Sequence, residues 1–171
     1  MDMSDVIINK VAESGLVTLD LQDYLPTEDQ VGVFDLKEYL FMGLILKEKD
    51  FRASLQETNW TVYENKTVAL CCTADAIIPA WAYMLAATYL QPVASDVFMG
   101  TPDALKVHLL VGKIASLSSS SYQDKRIVIK GCGDNFVPAD AYVAITLLLR
   151  PVVKSIMYGE PCSTVPVYKK R

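Results

Sequence analysis

Two stretches of this chain repeat at one spacing, and that repetition constrains the fold more than any other feature. When Pro79 is set against Pro138, an offset of 59, Pro79-Ala80-Trp81-Ala82-Tyr83 lies over Pro138-Ala139-Asp140-Ala141-Tyr142. The same frame puts Leu90-Gln91-Pro92-Val93 over Leu149-Arg150-Pro151-Val152, and Gly100-Thr101-Pro102-Asp103 over Gly159-Glu160-Pro161-Cys162. One inserted residue before the prolines brings Cys72 onto Cys132. Prolines bracket both repeated segments at the same interval, 92 − 79 = 13 and 151 − 138 = 13, which argues against chance. The chain therefore reads as an internal duplication whose two copies carry the cysteines.

Each copy has the grammar of a strand, a helix and a second strand. Residues 67–71 form a largely apolar run suited to a strand buried on both faces. Pro79 fits the first turn of a helix, where its missing N–H is no loss, and Pro92 forbids continuation. Residues 97–99 make a short strand, and a joining helix follows from Thr101 or Asp103 through Ile114. The second copy reads in the same way: strand 126–130, helix 138–149, and 155–158 as the last long strand. Before the repeats, residues 4–13 suit a short helix, and 16–21 and 31–34 suit strands. Asp35 is placed to cap a helix carrying Leu36, Tyr39, Leu40 and Leu44, and a polar helical segment runs from Lys47 to about Gln56. Alternation of this kind predicts an α/β fold in one domain of 171 residues: a mostly parallel sheet with helices on both faces. In this reading residues 1–60 are an α+β extension that completes the sheet edge, 66–103 the first βαβ repeat and 126–166 the second.

Composition limits the function. Half the residues are apolar (51%), enough for one well-filled core. A net charge of −4 argues against a nucleic-acid partner, which demands a basic face, and leaves the Lys169-Lys170-Arg171 segment as a solvated end. The longest weakly charged run, 67–95, contains Asp75 and two prolines and reads as strand plus helix, not a membrane span. The first ten residues carry acid where an export signal needs base, so a cytoplasmic location is expected. Thiols in a reducing compartment bind metal, react, or sit in the core.

In open parallel sheets ligands gather outside the carboxyl ends of strands. Cys72 and Cys132 end the first strands of the two copies, and Cys162 follows the closing strand of the second. A pseudo-twofold axis would bring these three thiols together with a carboxylate, Asp75 for preference, or Asp103 or Asp134. Three thiolates and one carboxylate suit zinc or iron, and thiolates are the usual ligands of iron–sulfur clusters, here a transient one. Inert core cysteines are the plain alternative, and Cys71 is assigned there because it points opposite to Cys72. A third reading is a thiol enzyme with Cys162 or Cys132 as nucleophile, but the only histidine, His108, is expected to pack within its own helix. The sequence leans away from an enzyme.

Residues 43–52, Cys72 with Ala74-Asp75-Ala76-Ile77, Pro79, 81–84, 128–132 and 155–166 together resemble a bacterial family known only as domain of unknown function family 2480. The resemblance covers nearly the whole chain and brings no activity with it. Its members' association with sulfur mobilisation implies an accessory or carrier role in iron–sulfur cluster assembly, with the assembly proteins as partners. A non-catalytic interaction module using residues 43–52 as its contact surface is the remaining alternative.

Overall fold

The apolar run at 67–71 becomes a central strand, β5 (Thr67–Cys71), in which Val68, Ala69, Leu70 and Cys71 are all buried. The computed structural model describes residues 16–130, 135–160 and 162–171. These fall into two compact units: Pro26–Leu109, and the described residues up to Leu25 together with Leu110–Arg171.

In the Pro26–Leu109 unit, β5 lies between β2 (Val31–Asp35) and β6 (Asp96–Met99), parallel to both. The crossover from β5 to β6 is helix α2 (Ala80–Leu90), with Pro79 as its N-cap residue. Its inward stripe, Ala82, Ala86 and Leu90, repeats every four residues and is fully buried. Two small side chains in that stripe permit close approach to the sheet. The first helix, α1 (Glu48–Glu57), sinks Phe51 and Leu55 into the same core. Phe34 stands at the centre, its ring 5.2 Å from Tyr39 and 5.5 Å from Trp60. Between β2 and α1 lies a two-stranded antiparallel hairpin, β3 (Leu40–Phe41) and β4 (Ile45–Leu46).

The other unit holds a four-stranded sheet in the order β1-β7-β8-β9: β1 (Leu16–Asp20), β7 (Arg126–Lys130), β8 (Ser155–Glu160) and β9 (Ser163–Lys169). The first three are parallel, and β9 returns antiparallel to β8. Helix α4 (Ala139–Leu149) crosses from β7 to β8 and buries Ala141, Ile145 and Leu149. Their partners in this core include Ile127, Ile129 and Ile156 from the sheet. The remaining helix, α3 (Pro102–Ala115), carries the boundary at Leu109/Leu110 along its length. Among the described residues no helix is long and apolar enough to cross a membrane.

The architecture is mixed α/β, with sheets that are partly parallel. The expectation of one mostly parallel sheet is corrected on two points. The strands divide between a four-stranded and a three-stranded sheet, and the larger is mixed because β9 runs against its neighbour. The early segments do complete sheet edges, one each, β1 beside β7 and β2 beside β5. The strand expected to be last is followed by β9, where Pro166 is tolerated on an edge that needs no N–H there. The helix expected over 36–44 is a single 3-10 turn, Leu36–Tyr39, capped by Asp35 as anticipated. It stops because Met42 and Gly43 adopt φ of 52° and 71°, which no right-handed helix accommodates. The expected helix at 4–13 lies outside the described residues.

Two glycines test this backbone with opposite signs. Gly159 has φ 119°, and a Cβ there would lie 2.6 Å from the backbone oxygen of Ser163 in the paired strand. Gly159→Ala is expected to lower unfolding free energy in urea by about 1–3 kcal/mol. Gly112, inside α3, has open space around a built Cβ. Gly112→Ala is expected to raise it by about 0.8–1 kcal/mol.

Candidate protein-interaction surface

The sequence-predicted thiols come first, because their surroundings decide what they can do. Cys71 closes β5 and is the register partner of Asp35, which closes β2. Asp35 is fully engaged: Oδ1 accepts from the Lys37 amide at 2.9 Å and from the Thr73 amide at 3.0 Å, and Oδ2 accepts a short bond from the Thr73 hydroxyl. Partial burial opposes its ionisation. The Thr73 hydroxyl, the two amides and the charge of Lys37 outweigh that and hold the carboxyl below its ordinary range. The same negative charge acts against its neighbours. Burial, then Asp35 and Cys72, push the Cys71 thiol up, and burial, then Cys72, Cys71 and Asp35, push the Tyr83 phenol up. A reactive or metal-binding sulfur needs the thiolate, and at Cys71 these surroundings favour the thiol.

Cys72 is half-buried, and its Sγ lies 3.8 Å from the Ala74 carbonyl oxygen, to which it donates. Asp75 and Asp103 are exposed, on the loop after β5 and in the first turn of α3. Cys162 is exposed between β8 and β9 and has no hydrogen-bond partner among the described residues. Cys132 and Asp134 lie outside the described residues. The metal reading is therefore corrected. Among the described residues no group of three His, Cys, Asp or Glu side chains converges to hold an ion. The zinc, iron or iron–sulfur site lapses with it, and so does the carrier role in cluster assembly. His108 is exposed, with its ring 5.0 Å from that of Phe98.

What the structure does present is the tip of the β3–β4 hairpin. Phe41, Met42, Leu44 and Ile45 are 47%, 80%, 62% and 60% exposed, four large apolar side chains within five residues. The turn is closed by the Leu44 amide donating to the Phe41 carbonyl at 3.2 Å, with positive φ at both central residues, as a type I′ turn requires. Glycine accepts that conformation freely, but methionine does so at a cost of about 1–2 kcal/mol. The hairpin's base is held from below. Tyr39 lies 5.3 Å from Phe51 edge-on, and both Tyr39 and Leu46 pack on the core. The Lys47 ammonium rests 3.2 Å from the centre of the Phe41 ring, and Arg52 pairs with Glu48 at 2.9 Å on the following helix. Sequence reasoning singled out part of this region, 43–52, but took its apolar residues for a helix stripe. The available signal was glycine at a turn with apolar pairs on either side, Leu40-Phe41 and Ile45-Leu46.

Fold and site together define a mixed α/β protein that displays an apolar hairpin. Over residues 5–170 the chain matches the family described as "Protein of unknown function (DUF2480)", and it belongs to that family. No curated protein and no solved structure matches it.

The Asp35 latch gives a pH signature. A carboxyl whose folded pKa is depressed contributes stability above its ordinary unfolded value near 4, and loses it as pH falls through the lower folded value. Asp35→Ala is expected to lower unfolding free energy at pH 7 by about 0.5–2 kcal/mol, the range for a lost cap. Its unfolding free energy should fall less between pH 5 and pH 2 than that of the parent, as measured by urea titration. For the thiols, iodoacetamide at neutral pH followed by mass spectrometry should label Cys162 first, at a rate no greater than a free cysteine peptide. Cys71 should be labelled only after unfolding.

Proposed function

We propose that this chain is a non-catalytic protein-interaction module whose contact element is the β3–β4 hairpin. The carrying observation is the exposure of Phe41, Met42, Leu44 and Ile45 on a hairpin whose base is anchored in the core. Clustered apolar side chains in water mark an interaction site far better than scattered ones do. Met42 strengthens the reading, because a strained backbone carries a side chain that gains nothing from its own fold. The partner this chemistry fits is a second protein with an apolar cleft wide enough for one hairpin.

The reading of the two units as copies of one βαβ design belongs to the same proposal. It is supported by starts that recur at the offset of 59: β5 and β7 at 67 and 126, α2 and α4 at 80 and 139, β6 and β8 at 96 and 155. Asn65 and Asp124, at the same offset, both take positive φ just before the central strands. A cytoplasmic setting is proposed with it, supported by the free thiols of Cys71, Cys72 and Cys162.

A photo-crosslinking residue at Leu44, expressed in the native cell, is expected to give a discrete adduct with one other protein. Met42→Asn should weaken that adduct several-fold while unfolding free energy holds or rises by up to about 1 kcal/mol, because asparagine tolerates the left-handed region. Absence of an adduct, or adducts only between two copies of this chain, would refute the hairpin as a docking element for another protein.

A further inference from the structure

At the end of the four-stranded sheet where β1, β7 and β8 begin, one register row crosses all four strands. Leu16 pairs with Arg126, Arg126 with Ser155, and Ser155 with Lys169. Arg126 and Lys169 are thus two strands apart, roughly 10 Å at ordinary strand spacing. Backbone bonds extend the row: the Lys170 amide donates to the Lys154 carbonyl at 2.8 Å, and the Lys154 amide to the Lys125 carbonyl at 2.8 Å. The outcome is a cavity of about 720 Å³ lined by five cations: Arg126, Lys154, Lys169, Lys170 and Arg171. Among the described residues its remaining lining is Leu16, Ser155, Met157, Pro166 and Tyr168, none of them acidic.

Lys170 pairs with a carboxylate, Asp124 at 3.5 Å. Asp124 sits below the ordinary carboxylate range through its Gln123 hydrogen bond and the charges of Lys170 and Lys154. Arg126, Lys154, Lys169 and Arg171 have no carboxylate within 4 Å among the described residues. In a chain with 20 acidic and 16 basic residues, a solvated face would mix the two signs. Like charges gathered around one space repel, and a bound anion relieves that repulsion. The volume falls within the roughly 300–1,000 Å³ usual for small-molecule cavities. A nucleic-acid partner is disfavoured by the acidic chain as a whole.

We propose that this cavity binds a small organic phosphate. The phosphate would lie against Arg126 and the lysines, and an apolar or aromatic body against Met157, Pro166 and Tyr168. Several cations around one space match a doubly charged group better than a single carboxylate, and the arginine fork matches phosphate geometry. This site is independent of the hairpin, lies in the other unit, and stands or falls separately.

The test is calorimetric titration of the full chain at low ionic strength with benzyl phosphate, inorganic phosphate and benzoate. Benzyl phosphate is expected to bind about tenfold more tightly than either of the others, with affinity falling as salt is added. The double variant Arg126→Gln with Lys169→Gln, both exposed in the parent, should lose about tenfold in that affinity while its urea midpoint holds or rises. Sedimentation with phosphatidylcholine vesicles containing phosphatidylglycerol separates the two sources of the phosphate. Co-sedimentation that benzyl phosphate competes away assigns it to a lipid headgroup, and no co-sedimentation assigns it to a soluble compound. Equal affinity for benzyl phosphate and benzoate, or a double variant that binds as the parent does, overturns the proposal. A hexaglutamate peptide that displaces benzyl phosphate at lower concentration than benzyl phosphate itself also overturns it.

Discussion

Two strands buried on both faces dictate the rest of this structure. Val68–Cys71 and Ile127–Ile129 carry apolar side chains to both sides, so neither can sit at an edge with its backbone polar groups in water. Each needs a strand on either side, and parallel neighbours require a crossover long enough to hold a helix. Helices α2 and α4 are those crossovers, and their buried stripes cover one face of each sheet. In the Pro26–Leu109 unit the consequence reaches past the core. Once β2 and β5 are locked in register, Asp35 and Cys71 become neighbours, and the loop after β5 must pass Asp35. The carboxylate then serves as cap to one segment and latch to another, 38 residues away.

That latch explains why Cys71 at the strand end favours its thiol form. A thiolate wants positive charge or a helix amino end beside it. Cys71 has instead an ionised carboxylate as its register partner, already satisfied by three donors and not free to act as a base. The arrangement stabilises the connection between strands and leaves the sulfur protonated.

The parts of the fold that were legible in the sequence are those where local pattern and tertiary demand coincide. Residues 67–71 and 126–130 read as buried strands because their apolar runs are short and bounded by polar turns. The prolines at 79 and 138 marked the helix starts to within a residue. The hairpin was not legible, since Leu36, Tyr39, Leu40 and Leu44 imitate a helical stripe, and only the left-handed pair Met42–Gly43 breaks it. β9 was hidden by proline, which reads as a turn unless the strand is known to lie at an edge. The thiol cluster failed for another reason. A spacing can put cysteines at matching places along the chain, but convergence depends on how side chains face one another in space, which no spacing encodes. The basic cavity is not legible in the sequence because its cations come from three separated segments that only the strand register brings to one end of the sheet.

The hairpin and the basic row expose opposite chemistries by the same device, backbone hydrogen bonds that hold unfavourable neighbours together. At the hairpin, antiparallel pairing and an anchored base keep apolar side chains in water in a strained turn. At the row, the sheet's register keeps cations beside one another. In both places the ordering of side chains that binding would otherwise require is supplied in advance by folding, so less is lost when a partner arrives. A surface without a ligand has no such reason to be held in order. Apolar side chains free to retreat would retreat into the core, and cations free to spread would spread. Their confinement is what makes both surfaces candidates, and the difference in their chemistry, one for an apolar cleft and one for a phosphate, predicts that occupying either leaves the other's affinity unchanged.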